Sequence, residues 1–171
     1  ANTGWIVFSP DFLEWRIIDK CRITDIPRKH ISADSPGFLS LPEGWLISGP
    51  AWTGPLWDVN YVDSVISRWE LLKKEIAERY TSAGMAKQYF QHISATTKLL
   101  SIIGEECRIS SLFYYNQDSL AKRAGKNSPS RQVIIDELRK NGYNASATHI
   151  DPKGIKTDAP LSYVLNIVNQ S

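Results

Sequence analysis

Three histidines, two cysteines and a few isolated carboxylates are the residues of this 171-residue chain whose types suit chemistry. His30, His92 and His149 lie far apart, and none has a partner at metal-ligand spacing. Cys21 and Cys107 are equally distant. They read as one long-range disulfide or as two buried thiols in a reducing compartment, the second being the commoner arrangement. Gly49-Pro50-Ala51-Trp52-Thr53-Gly54 carries two glycines, but its Pro and Trp suit a rigid turn better than a phosphate nest. Asp58 and Asp63 serve equally as helix caps or as acids. His149, beside Thr148 on an expected strand, fits a hydrogen-bonded structural role as well as a substrate contact. The dinucleotide fingerprint, the P-loop and the nucleophile elbow do not occur. No nucleophile, base and orienting group assemble from the sequence.

The cations carry more information. From Asp118 to Lys156 there are eight bases, Lys122, Arg123, Lys126, Arg131, Arg139, Lys140, Lys153 and Lys156, against four acids, Asp118, Asp136, Glu137 and Asp151. That segment is +4 within a chain of net charge +2, so the remainder is −2. Lysines and arginines bind phosphates by releasing condensed counterions, so the segment suits a nucleic acid. A solvated helix surface with ordinary cations is the alternative reading of the same charges.

These side chains need elements to position them. Hydrophobic residues are 42% and charged residues 22%, the balance of a folded globular chain rather than a disordered or fibrous one. No apolar run approaches the ~20 residues that span a bilayer, so no membrane partner is expected. The start, Ala1-Asn2-Thr3-Gly4, has no basic n-region or cleavage pattern and lacks Met. It reads as the interior of a longer chain or as a processed start, with a cytoplasmic address as the default. All six Trp precede residue 70, among Pro-Gly clusters such as Ser35-Pro36-Gly37 and Leu41-Pro42-Glu43-Gly44. Short strands are predicted over 4–8, 14–18 and 45–47.

Val62, Val65, Ile66, Trp69, Leu72, Ile76 and Tyr80 then recur at helical steps, with Asp58 or Asn60 as cap. A second stripe, Tyr89, Ile93, Thr96, Leu100 and Ile103, ends on Gly104 as the expected left-handed C-terminal residue. Beyond 110 the pattern predicts a short extended piece at 112–115 and a helix over 119–124 capped by Asp118. A second helix over 129–141 follows, capped by Ser128, with Val133, Ile134, Leu138 and Tyr143 as its apolar face and Gly142 closing it. Strands at 145–150 and 155–158 and a last short helix from Pro160 complete the chain. Helix, turn, helix, hairpin is the order of a winged helix. The fold class expected is α+β. An aromatic-rich subdomain spans 1–110, and a basic, winged-helix-like subdomain spans 111–171.

Two stretches bear a family resemblance. Asn141-Gly142-Tyr143, Ser146, Thr148-His149 and Gly154-Ile155-Lys156-Thr157-Asp158-Ala159-Pro160 resemble the C-terminal end of the tRNA guanine-N2 dimethyltransferases. Gly49-Pro50-Ala51-Trp52-Thr53-Gly54-Pro55-Leu56-Trp57-Asp58 resembles that family's other C-terminal signature, and Tyr114-Tyr115 fits as well. The likeness runs from about Trp5 to Val168.

The resemblance implies an N-terminal methyltransferase domain that binds S-adenosylmethionine and a C-terminal domain that helps hold tRNA. Only the second part is matched. Asp151-Pro152 is followed by Lys153, not by the aromatic residue of the family's catalytic motif. This segment is therefore expected to hold no cofactor and to be inactive alone, with tRNA and the methyltransferase domain of the same protein as partners. Relatives place a zinc-binding Cys-x-x-Cys where this chain has Ser9-Pro10-Asp11-Phe12, so no zinc is expected, with aromatic packing in its place. Ala147 stands where relatives often have Arg, which removes a phosphate contact.

The candidate nucleic-acid contacts are Lys122, Arg123, Lys126, Arg131, Lys140, His149, Lys153, Lys156 and Thr157. Those to the methyltransferase domain are Trp52, Trp57 and Asp58, with internal packing as the other reading. The helix over 129–141 and the hairpin around Lys153 are expected to lie on the RNA backbone, reading shape through phosphates and 2′-hydroxyls. A winged-helix DNA-binding module, an interaction domain for an acidic protein and a fragment that merely keeps the fold are the rival readings.

Overall fold

The computed structural model describes residues 3–18, 43–80 and 86–170. Cys21, His30, Ser35-Pro36-Gly37 and Leu41-Pro42 lie outside them. The chain divides into two compact units, Ala1–Gly54 and Pro55–Ser171. The expected border at 110/111 falls inside the second.

In the first unit, β1 (Thr3–Phe8) lies between β2 (Trp15–Ile18) and β3 (Leu46–Trp52) in an antiparallel sheet. Ile6 faces Ile17 and Ser48, and Val7 faces Arg16 and Ile47. Ile6, Val7 and Leu13 are buried and form the centre of this unit. Residues 49–52, expected to form a rigid turn, instead continue β3. The sheet admits Pro50 because β3 is an edge strand, and the pairing shifts register between Gly4 and Ile6. The turn from β1 to β2 is built by hydrogen bonds. Ser9 Oγ donates to Asp11 Oδ1 at 2.5 Å and accepts from the Glu14 N–H at 2.9 Å. Phe12, at φ 57°, turns the chain and packs on Phe8 with 5.7 Å between ring centroids. Polar turn chemistry and an aromatic pair thus hold the turn at Ser9-Pro10-Asp11-Phe12.

In the second unit, α1 (Val59–Tyr80) packs on α2 (Ala86–Glu106). Asp58 Oδ1 caps α1 by accepting from the Tyr61 N–H at 3.1 Å. Trp69 Nε1 donates to Thr97 Oγ1 at 3.0 Å across the pair. Gly104 does not end α2 but sits within it. A Cβ there would come within 2.8 Å of Ile66 Cδ1, so the glycine permits close helix approach. Asp63 pairs with Arg108 at 2.5 Å, which raises the Arg108 pKa.

A second antiparallel sheet follows, ordered β4 (Tyr115–Asn116), β6 (Gly154–Thr157), β5 (Ala145–Ala147). Between β4 and β5 run α3 (Gln117–Ala124) and α4 (Arg131–Lys140), and α5 (Leu161–Gln170) ends the described chain. The architecture is mixed α+β. The caps of α3 and α4 each lie two residues from those expected. Asn116, not Asp118, caps α3, accepting from the Asp118 and Ser119 N–H groups, and Ser130, not Ser128, caps α4. Gly125 and Gly142 adopt the left-handed conformation that stops each helix. Leu120, Ile134, Ile135, Leu138, Ile155, Val164 and Val168 form the core. Val133, expected on the apolar face of α4, is instead 50% exposed, because Ile134, Ile135 and Leu138 fill that face.

Candidate nucleic-acid interface

The turn joining α3 to α4 concentrates positive charge. Lys122 and Arg123 occupy the last turn of α3, where cations complement the helix dipole, and Lys126 follows the Gly125 cap. Arg131 opens α4. Lys122, Arg123 and Lys126 are exposed, and Arg131 is half-buried. Lys122 and Lys126 have no ion-pair partner among the described residues.

Arg139, Lys140 and Lys153 form ion pairs. Lys140 pairs with Glu137 one turn away at 3.3 Å. Arg139 bonds the Ala145 carbonyl through Nε at 2.7 Å and Glu105 through Nη2 at 2.6 Å, which fastens α4 to β5 and to α2. Lys153 reaches Asp118 at 2.6 Å, and that hydrogen bond, with the charge of Asp118, raises the lysine pKa. The hairpin carrying Lys153 is tied down further. Asp151 accepts from the Lys153 N–H and from Asn116 Nδ2, each at 2.8 Å, and the Gln117 N–H donates to the Lys153 carbonyl at 3.0 Å.

Lys156 and Thr157 do not lie on an exposed surface. Lys156 is 6% exposed, and burial lowers its pKa against the opposing pull of Glu106 and Cys107. Thr157 Oγ1 donates to the Asn144 carbonyl at 2.7 Å and accepts from the Ala159 N–H at 3.1 Å. Asp158 accepts from the Asn144 N–H and Nδ2 at 2.9 and 2.7 Å. The stretch Gly154-Ile155-Lys156-Thr157-Asp158-Ala159-Pro160 therefore builds β6 and leads into α5. Within it Lys156 and Thr157 are buried, and Asp158 is exposed.

His149 is held by Glu106, a residue to which sequence patterns assign no role. Glu106 Oε2 accepts from the His149 N–H at 3.2 Å, and Oε1 contacts His149 Nδ1. Glu106 is 1% exposed. A signal was present, since position 106 continues the stripe 93, 96, 100, 103 with a carboxylate where an apolar residue is expected. The His149 ring also meets Trp57 edge-on, with centroids 5.6 Å apart and planes at 74°. Trp57, from one signature stretch, and His149, from the other, thus meet in space. Trp52 lies in the first unit and is 52% exposed, and Asp58 serves as the α1 cap. His92 is exposed on α2, and Cys107 is a buried free thiol.

Among known proteins, the model of the family described as N2,N2-dimethylguanosine tRNA methyltransferase matches residues 42–169. The tRNA (guanine(26)-N(2))-dimethyltransferase of Thermococcus kodakarensis is 31% identical over 141 residues, covering 80% of this chain and 32% of that protein. The Pyrococcus abyssi enzyme of the same name is 32% identical over 123 residues, covering 72% and 28%. This chain thus spans about a third of the length of the curated relatives it matches. The solved structure of Trm1 from Pyrococcus horikoshii with S-adenosyl-L-methionine superposes with a TM-score of 0.63 at 24% identity, covering 98% of this chain and 35% of that one. At that identity the match speaks to fold. The family model takes in both signature stretches and most of the chain, and the chain belongs to the N2,N2-dimethylguanosine tRNA methyltransferase family.

Proposed function

We infer that this chain is the C-terminal, tRNA-holding part of a tRNA guanine-N2 dimethyltransferase, and that it meets tRNA through a winged-helix-like segment. The order α3, turn, α4, hairpin, with the hairpin closing a three-stranded sheet, supports the winged-helix reading. The contact surface is the α3–α4 turn rather than the hairpin. The observation that carries this is the contrast between the two. Lys122 and Lys126 stand exposed at the turn with no ion-pair partner among the described residues, while Lys153 is paired and Lys156 is buried. An ion-paired or buried lysine releases few counterions on meeting phosphate, so the turn supplies the electrostatic docking.

Methyl transfer belongs to a domain outside these residues. S-adenosylmethionine in a Rossmann-like domain sits where a strand of a parallel sheet turns through glycines into a helix. Both sheets among the described residues are antiparallel and three-stranded, so they do not fit that group, and no chemical step is assigned to this chain.

The test is tRNA binding by the chain across a salt series, followed by fluorescence anisotropy. Lys122→Ala with Lys126→Ala is expected to weaken binding and to reduce the slope of log K against log salt by about 1–2, near one for each phosphate no longer neutralised. Lys153→Ala is expected to change the slope less. Failure to bind tRNA, or a slope unmoved by the turn substitutions, overturns the reading.

A further inference from the structure

We propose that His149 and Trp57 form a stacking platform for an unpaired nucleobase of RNA, with the buried Glu106 carboxylate as its positioning residue. The proposal rests on the tRNA-binding reading and adds a second, non-ionic contact to it. Glu106 commits both oxygens to one residue, the His149 N–H and Nδ1. Burying a carboxylate costs several kcal/mol of lost hydration, and an apolar side chain of similar volume gives stability at least as well. The pairing therefore gives orientation. It fixes the plane of a ring that keeps 28% of its side-chain surface exposed.

The rest of the environment fixes the ring in the same way. Trp57 packs against the ring in an edge-type contact. The backbone beneath is locked where the Thr148 N–H donates to the Gly154 carbonyl at 3.3 Å and the Thr148 methyl fills the space beside the glycine. Ile150, which follows His149, is 67% exposed, and Leu56, which precedes Trp57, is also exposed. Tyr61, one turn into α1 from Trp57, is exposed as well. Aromatic rings with apolar neighbours suit the face of a base rather than a phosphate, and unstacked bases of folded RNA are bound in this way. The same unit carries the cations of the α3–α4 turn.

Proton NMR of the 171-residue chain tests this directly, because its three histidines give few ring resonances and His149→Gln assigns the one in question. On adding an unmodified tRNA transcript, the His149 ring protons are expected to move upfield, as protons over a base do, while those of His92 stay in place. His149→Ala is expected to weaken tRNA binding by about 5- to 150-fold, the worth of one stacked base. It should leave the salt slope unchanged, since no counterion is involved. Glu106→Gln is expected to give a smaller loss with the same slope. Binding of tRNA with the His149 resonances unmoved overturns the platform while leaving electrostatic docking intact, and is also the result if this surface meets protein instead. No binding at low salt overturns both.

Discussion

Lys156 shows how a residue's chemistry depends on which strand carries it. A lysine between Ile155 and Thr157 reads as the outward position of an alternating strand. Alternation fails here because β6 is the middle strand, and all four residues from Gly154 to Thr157 are buried. Burial lowers the Lys156 pKa below its ordinary 10.5, with Glu106 and Cys107 opposing the shift in part. Between the folded and unfolded values the unfolded chain binds more protons, so stability rises with pH through that window. At neutral pH the charged amine costs stability. Lys156→Met is expected to raise the melting temperature at pH 7, on the order of a few degrees for ~1 kcal/mol. The difference from the parent should shrink as pH approaches 10.5. A variant that melts lower at pH 7, or whose gain stays constant as the pH rises to that value, contradicts this account.

Between residue and fold, the hairpin formed by β5 and β6 is closely packed. Gly154 is its tightest point. A Cβ there would lie 2.2 Å from Thr148 Cγ2 and 2.9 Å from Tyr114 Cδ2. Thr148 is buried and β-branched, so its methyl has no other place to go. Gly154→Ala is expected to destabilise the second unit by about 1–3 kcal/mol, the range for overpacking. The measurement is the urea midpoint at constant m-value. An unchanged midpoint would mean that the hairpin yields freely, and the ring of His149 with it. The elements themselves were largely legible, because the stripes over α1 and α2 and the helix–helix–hairpin order are strong periodic signals. Their ends were less so. Ser128 and Ser130 both suit a cap, and Gln117 Nε2, which holds the Pro129 carbonyl at 2.6 Å, favours the later start. Three consecutive apolar residues, Val133, Ile134 and Ile135, leave the buried flank of α4 undecided until the sheet is in place. A glycine after a stripe has two uses, and at Gly104 packing against Ile66 prevails over capping.

For the whole molecule, composition and compactness divide the chain differently. A border at 110/111 follows charge, since the basic segment begins soon after it. The compact units follow packing, which crosses that point through Arg139 with Glu105, His149 with Glu106, and α2 against β5. These links join residues 34 to 43 positions apart, and no local pattern announces them. They also explain why the run of cations was legible while the pairing and burial of its members were not, because pairing and burial are tertiary facts. The α3–α4 turn and the His149–Trp57 pair both lie in the second unit, with a core of its own in Leu120, Ile134, Leu138, Ile155 and Val164. Residues 55–171 expressed alone are therefore expected to unfold cooperatively in urea. They should also bind tRNA with the salt slope of the 171-residue chain to within about one phosphate. A cooperative fold with a much shallower slope would place phosphate contacts in the aromatic first unit and reduce the α3–α4 turn to a contributor. Failure of residues 55–171 to fold would show that the first unit is needed for the stability of the second.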